Sequence, residues 1–272
     1  MEFTEEEYTS LTRYQDNDYI VINSLLRPGY SSEKTIDDRK NEGYPYITKA
    51  AMDEYLICIG QMYSAILKAY QTKGCVLPDK VTYRGTQIEV IESMNEENCS
   101  FVSTTTSFAQ TRTFSMLYHK TDSDPSRRAI AIVEGNVPWI DMDELIGGME
   151  NEIIYVPAKV QVEPIETRLD SKLGKTYRMT LTELEIPKKT PEEITEMRNK
   201  IIEQTETMSD YLRLILEAEK TPSLQDNKQV EFANQEYNKW KNTVIEYNYQ
   251  QYGLLKEKII NNVDVVETNK KH

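Results

Sequence analysis

Histidine is almost missing from this chain: His119 and His272 are the only two among 272 residues. A Ser-His-Asp or Cys-His mechanism would have to run through His119 alone. Cysteine is nearly as scarce. Cys58, Cys75 and Cys99 form an odd set with no C-x-x-C spacing, which supports neither a disulfide framework nor a cysteine-rich zinc site. The 10 glycines never fall as G-x-G, and no P-loop, EF-hand loop or H-E-x-x-H occurs, so classical dinucleotide folds and metalloproteases are disfavoured. Positive charge is short as well: 32 Lys and Arg stand against 45 Asp and Glu, a formal net charge of −13. A nucleic-acid clamp needs the reverse, a basic face that releases counterions from phosphates. No run approaches the 18 apolar residues of a membrane span. The first seven residues, Met1 to Glu7, carry neither a positive n-region nor an apolar h-region, and the expectation is a cytosolic chain. The groups left for chemistry are carboxylates, hydroxyls and arginines.

At about 150 residues per domain the length allows one large domain or two small ones, and the periodicity divides it into three stretches. Residues 1–75 read as helical. Thr4 as N-cap with Glu7 at N3 opens a helix with Leu11, Tyr14, Ile22 and Leu25 on or near one face, stopped at Arg27-Pro28-Gly29. A polar loop with Ser31, Ser32, Asp37 and Asp38 follows. Ala51, Tyr55, Ile59, Met62, Ile66 and Ala69 then predict a second helix ending before Gly74. Residues 76–187 shorten their period to that of strands: Val81 to Arg84, Cys99 to Thr104, Ala129 to Val133, Glu152 to Val156 and Thr176 to Ile186 are rich in β-branched and aromatic residues, with a short helix at Phe108 to Leu117. Residues 188–272 return to helix. Thr190, Pro191 and Glu193 supply an N-terminus, and Ile194, Ile201, Met208 and Ile215 recur every seven residues. After a break at Thr221-Pro222, Val230, Ala233, Tyr237, Trp240, Val244, Tyr247 and Leu254 mark a second helix. Gln204 and Gln251 interrupt the seams, so the pair is expected to fold back as an intrachain hairpin rather than a long dimeric coiled coil. It serves either as a brace or as an acceptor-binding arm.

Three pieces of the middle stretch carry chemistry. Tyr83-Arg84-Gly85 ends a strand with a guanidinium, whose planar fork suits a diphosphate; taken alone, an arginine at a strand end is more often a surface ion pair. Phe101-Val102-Ser103-Thr104-Thr105 begins as a strand and becomes a run of hydroxyls that can hold a carboxylate's rotamer, or that simply favour β structure. Glu150-Asn151-Glu152 opens an apolar strand, and in extended backbone residues i and i+2 point the same way. Such a pair serves a cationic transition state and binds a guanidinium, or is a solvated strand start.

Together and in this order the three pieces resemble the R-S-E class of mono-ADP-ribosyltransferases, whose pattern is aromatic-Arg-Gly, then Phe-x-Ser-Thr-Ser, then Glu-x-Glu. The resemblance covers about residues 76 to 187, with Thr105 in place of the second serine. It implies an α+β fold, a split mixed β-sandwich core with N-terminal helices and a C-terminal helical hairpin, that grips NAD as substrate and needs no metal. Arg84 would hold the diphosphate, with Gly85 and Thr104 lining the cofactor. Ser103 would orient Glu152, which would bond the nicotinamide ribose and stabilise the oxocarbenium ion, the charge logic of glycoside hydrolysis. Glu150 would receive the acceptor and, as glutamate rather than glutamine, points to arginine.

The resemblance also implies an acceptor loop from Asp141 to Met149, hinged at Gly147-Gly148 with Trp139 just upstream. Phe108 would pack against nicotinamide or in the core. One of Arg112, Arg127 and Arg128, with Arg128 foremost, would reach a phosphate, or Arg127 and Arg128 would be a solvated pair. The expected partners are NAD and a protein with an exposed arginine, with neither nucleic acid nor a membrane span. The resemblance is to bacterial effectors and toxins placed in a host cytosol, although action in the producer's own cytosol stays open. The other readings are an NAD glycohydrolase, a transferase to a different acceptor, and a helical scaffold or binding protein without enzymatic activity.

Overall fold

The computed structural model describes residues 2–28, 46–73, 81–94, 96–98, 100–117, 127–147, 151–165, 174–221 and 227–261. The expected polar loop at Ser31 to Asp38, both histidines, Cys75, Cys99, Pro222 and the segment Gly148 to Glu150 lie outside them. The chain divides into two compact units. One comprises Met1–Thr4, Ser64–Glu185 and Ile259–His272, and the other Glu5–Tyr63 and Ile186–Lys258.

The first unit is built on one mixed sheet. Among the described residues its strands are β1 (Thr82–Gln87), β2 (Glu96–Asn98), β3 (Val102–Thr105), β4 (Arg128–Gly135), β5 (Trp139–Asp141), β6 (Glu152–Tyr155), β7 (Ala158–Pro164) and β8 (Lys175–Thr182), in the order β2-β7-β8-β4-β1-β3-β6-β5. β4 and β8 run parallel and the other neighbours antiparallel. The sheet is nearly two. β1 and β3 share the single pair Tyr83↔Thr105, whereas β1 keeps register with β4 over its whole length, as does β3 with β6. The expected split falls at this joint, and the class is α+β.

Side-chain patterning explains which strands form where. Glu152-Ile153-Ile154-Tyr155 is buried throughout, the continuous run of a strand covered on both faces. In β7, Ala158 and Val160 are buried while Lys159, Gln161 and Glu163 are exposed, the alternation of a strand wet on one side. Among the described residues three short helices also belong to this unit: α4 (Ile88–Ser93), α5 (Phe108–Leu117) and α6 (Met142–Ile146). α6 lies inside the segment expected to be a loop. Asp141 caps it by accepting from the Glu144 N–H at 3.2 Å, and Gly147 ends it in the left-handed region at φ 73°.

The second unit is helical. α1 (Glu5–Arg13) and α2 (Tyr19–Leu26) replace the expected single helix and are separated by a π turn at Tyr14–Asp18. Leu11, Tyr14, Ile22 and Leu25 are nevertheless all buried, and the Asn23 amide donates to the Tyr14 hydroxyl at 3.0 Å. α3 (Lys49–Lys73) contributes its first part here, and its expected stop before Gly74 lies at the edge of the described residues. α7 (Pro191–Lys220) opens on a full capping box: Thr190 Oγ1 accepts from the Glu193 N–H at 3.2 Å, and the Glu193 carboxylate accepts from the Thr190 N–H at 2.7 Å.

The heptad residues Ile194, Ile201, Met208 and Ile215 pack with Ala233, Tyr237, Trp240, Val244 and Tyr247 of α8 (Lys228–Lys256) and with Leu25, Met52 and Leu56. Each such large apolar side chain contributes about 1.5–3 kcal/mol on burial. The hairpin therefore closes within the chain. Leu254 departs from expectation: it is 40% exposed, and Tyr252 is buried instead. A straight helix of 3.6 residues per turn drifts off a seven-residue repeat, and by the end of α8 its inner face has rotated away from Leu254.

Candidate active site

Ser103 and Glu152 meet across two strands. In the β3–β6 register Thr105 stands opposite Glu152 and Ser103 opposite Ile154, so Ser103 and Glu152 share a face on a diagonal that a serine side chain can span. Ser103 Oγ donates to Glu152 Oε1. Glu152 is only 8% exposed, and a carboxylate so withdrawn from water is retained only with partners.

The same serine is held from its other side. Past the Tyr83↔Thr105 pair β1 and β3 part, and the Ser103 carbonyl accepts not from a strand N–H but from Arg84 Nη1 at 2.6 Å. The Arg84 Nε is buried and has no hydrogen-bond partner among the described residues, and the same holds for the Nε of Arg128. Beside Arg84, Tyr83 shares the face of Thr105 and makes an edge-to-face contact with Phe108, with ring centroids 5.5 Å apart and planes at 80°. Phe108 remains 38% exposed at the start of α5. Arg84 itself leaves β1 on the other face, that of Thr82, so the guanidinium and the Ser103–Glu152 pair meet at the main chain of Ser103 where the sheet divides.

The other residues singled out in the sequence lie differently. Gly85 faces α5: a Cβ there would stand 1.9 Å from the Thr111 carbonyl oxygen, so the missing side chain admits the helix backbone. The Thr104 hydroxyl is buried and donates to the Ile153 carbonyl at 3.0 Å, on the face opposite Ser103. Arg128 pairs with Gln87 while Arg84 pairs with Ala131, an odd offset that puts the two arginines on opposite faces of the sheet. Arg127 is an exposed partner of Glu89 at 3.4 Å, and Arg112 is exposed on α5. Trp139 is 6% exposed. Glu150 lies outside the described residues. The same-side reading of Glu150 and Glu152 assumed extended backbone between them, and Asn151, at φ 51°, is left-handed and precedes the strand.

Sequence reasoning missed Asp143. Its carboxylate, on α6, accepts from the Asn151 N–H at 2.8 Å and from the Glu152 N–H at 3.3 Å. Both partners are main-chain donors, which no side-chain pattern announces. It also missed Tyr155, on the face opposite Ser103. The Thr82 hydroxyl donates to the Val133 carbonyl at 3.2 Å, which leaves the Tyr155 hydroxyl, 3.0 Å away, to donate to Thr82. That bond ties β6 to β1 across the split, and burial pushes the Tyr155 phenol up to about 12. Among the described residues no group of three or more His, Cys, Asp and Glu gathers as metal ligands would.

No family model matches the chain, and no curated protein does. Among solved structures it is similar to ADP-ribosyltransferase Vis in complex with the M6 inhibitor, at TM-score 0.42 and 18% identity over 67% of this chain and 74% of that one. It is similar to Plx2a, an ADP-ribosyltransferase toxin from Paenibacillus larvae, at TM-score 0.39 and 13% identity over 67% and 88%. The Salmonella SpvB ATR domain is similar at TM-score 0.37 and 14% identity over 65% and 99%.

Proposed function

We propose that this chain is a mono-ADP-ribosyltransferase that moves ADP-ribose from NAD to an arginine of a target protein and releases nicotinamide, as a bacterial effector acting in a host cell. One observation carries the reading. Ser103 links the two charged groups the reaction needs, accepting from Arg84 through its carbonyl and donating to Glu152 through its hydroxyl. With every TM-score below 0.5, the reading rests on these side chains and on the order of the three motifs in the chain.

In the reaction the bond between ribose C1′ and the nicotinamide nitrogen breaks, its electron pair leaving with nicotinamide. The ribose is left as an oxocarbenium ion. Glu152, ionised and shielded from water, stabilises that cation. Arg84 supports the diphosphate with donors that stay charged, and the Tyr83–Phe108 edge offers an apolar wall to a flat ring. A guanidinium nitrogen of the acceptor then bonds C1′ and gives up a proton. Free arginine holds that proton with a pKa above 12, and Glu150 is the group proposed to orient the guanidinium and take it. Residues 76–187 would be the NAD-binding core and the flanking helical stretches its additions.

The test measures two activities on one preparation: free nicotinamide, and transfer of a biotin-labelled ADP-ribose to proteins of a eukaryotic lysate followed by site mapping. The wild type should do both, and Glu150→Gln should nearly abolish arginine labelling while keeping a substantial part of NAD hydrolysis. Nicotinamide release without any labelled protein leaves an NAD glycohydrolase, and no release leaves a binding protein. Parallel loss of both activities in Glu150→Gln would place Glu150 in the first step or in folding.

A further inference from the structure

The proposed chemistry depends on Glu152 entering β6 at one angle, and the residue before it is an unusual support. Asn151 is the only non-glycine with positive φ among the described residues, at 51°. A non-glycine residue in the left-handed region costs about 1 kcal/mol or more unless its surroundings hold it there. Both of its main-chain groups are engaged. Its N–H donates to Asp143 Oδ2 at 2.8 Å, and its carbonyl accepts from the Thr106 N–H at 3.0 Å, just past the strand of Ser103. The second Asp143 oxygen takes the Glu152 N–H at 3.3 Å. One carboxylate therefore grips two successive N–H groups at the turn into the catalytic strand.

Asp143 is itself fixed. It lies in the first turn of α6, whose N-terminus is capped by Asp141, whose C-terminus is closed by the Gly147 N–H donating to the Asp143 carbonyl at 3.1 Å, and whose Met142 is fully buried. An anionic acceptor shared by two N–H donors makes stronger bonds than a neutral one, and they hold main chain rather than a mobile side chain.

We propose that Asp143 is a positioning residue for Glu152, fixing through the Asn151 turn the placement from which Glu152 reaches Ser103 and the reacting ribose. This rests on the transferase reading above. It also makes α6, which lies in the expected acceptor loop, the element that sets the catalytic strand: the loop that would meet the target and the carboxylate that would stabilise the cation are joined by one side chain.

The experiment compares wild type, Asp143→Ala and Asp143→Asn in steady-state nicotinamide release, with NAD affinity by calorimetry and thermal unfolding as controls. Misplacing a reacting group by about 1 Å costs on the order of 100-fold, so Asp143→Ala should lower kcat by about 10- to 100-fold while the KM and Kd for NAD stay within about 3-fold, since both bonds of Asp143 go to the main chain of Asn151 and Glu152 and neither goes to Arg84. Asp143→Asn keeps one acceptor oxygen and should recover part of that loss. An unchanged kcat in Asp143→Ala, or a rise in KM at unchanged kcat, overturns the proposal while leaving the transferase reading intact. Unfolding of both variants assigns Asp143 to the fold and overturns it too. A wild type that releases no nicotinamide removes the transferase reading itself.

Discussion

Ser103 donates its hydroxyl to the Glu152 carboxylate across the β3–β6 ladder while its own carbonyl accepts from Arg84. A serine can do both because hydroxyl and carbonyl leave the strand in different directions, the side chain standing off the sheet and the carbonyl lying in its plane. The carbonyl is open to a side chain only because β1 and β3 separate after one residue pair. The split in the sheet and the bond from Arg84 to the Ser103 carbonyl are the same structural event.

Removing the hydroxyl should therefore affect the chemical step more than binding. Ser103→Ala is expected to lower the kcat of nicotinamide release by about 10-fold, with Ser103→Thr retaining most of the rate because the donor is kept. Glu152→Gln should cost more, on the order of 100- to 1000-fold, the usual effect of deleting one preorganised electrostatic group. Because the serine acts through the glutamate, the double variant should be no slower than Glu152→Gln alone. Additive losses in the kinetic cycle would separate the two residues.

Arg84 should act on affinity. Lysine keeps the charge but cannot hold the Ser103 carbonyl with one nitrogen while presenting another in a planar fork. A hydrogen bond to a charged group contributes about 1.5–3 kcal/mol, so Arg84→Lys should weaken NAD binding about 10- to 100-fold in a calorimetric titration at wild-type thermal stability. An unchanged Kd would confine Arg84 to bracing β3.

Much of this architecture could be read before the structure, and the exceptions have physical causes. The helix at Phe108–Leu117, the capping box at Thr190 and Glu193 and the seam from Ile194 to Ile215 are local patterns that a few neighbouring residues specify. β7 was overlooked although Ala158, Val160 and Val162 alternate with Lys159, Gln161 and Glu163, a legible period of two. What sequence could not yield is register. Arg84 and Arg128 fall on opposite faces because Gln87 pairs with Arg128, and nothing local to either arginine encodes that pairing. The α6 clip and the left-handed Asn151 were hidden for a related reason. Their partners are main-chain groups, so a stretch read as a hinged loop at Gly147-Gly148 contains a short capped helix.

Two glycines should respond to alanine with opposite signs. At Gly85 a Cβ would sit 1.9 Å from the Thr111 carbonyl oxygen and 3.0 Å from the Ser115 nitrogen, both main-chain atoms of α5. The helix would have to lift off β1. Overpacking of this kind costs about 1–3 kcal/mol or more, and Gly85→Ala should lower Tm by several degrees at roughly 2–4 °C per kcal/mol. At Gly60, inside α3, a Cβ meets nothing within 4 Å. There alanine restricts the unfolded chain and suits the helix, so Gly60→Ala should raise stability by about 0.4–1 kcal/mol. Calorimetric melting of both variants checks the pair; a stable Gly85→Ala would mean that α5 does not rest on β1 as described.

Tyr155 makes stability depend on alkaline pH. Its phenol is buried and titrates at about 12 in the folded protein, against about 10 in an unfolded chain. As pH rises past 10 the unfolded state loses this proton first, so the unfolded state is favoured. The contribution is thus fully present below pH 10 and is lost as pH climbs toward 12, by about 3 kcal/mol at most. Tyr155→Phe has no proton to lose, and it leaves Thr82 satisfied through its bond to the Val133 carbonyl. Near pH 8 the wild type should be the more stable by about 1 kcal/mol, the value of the lost hydroxyl bond across the split. That margin should shrink as pH rises through 10, change sign near pH 11 and be reversed at pH 11.5. Urea unfolding of both proteins at pH 8, 10 and 11.5 gives the difference directly and cancels the contribution of the other tyrosines among the chain's 18. A margin that stays constant across the three pH values would mean that the Tyr155 hydroxyl does not carry the alkaline slope.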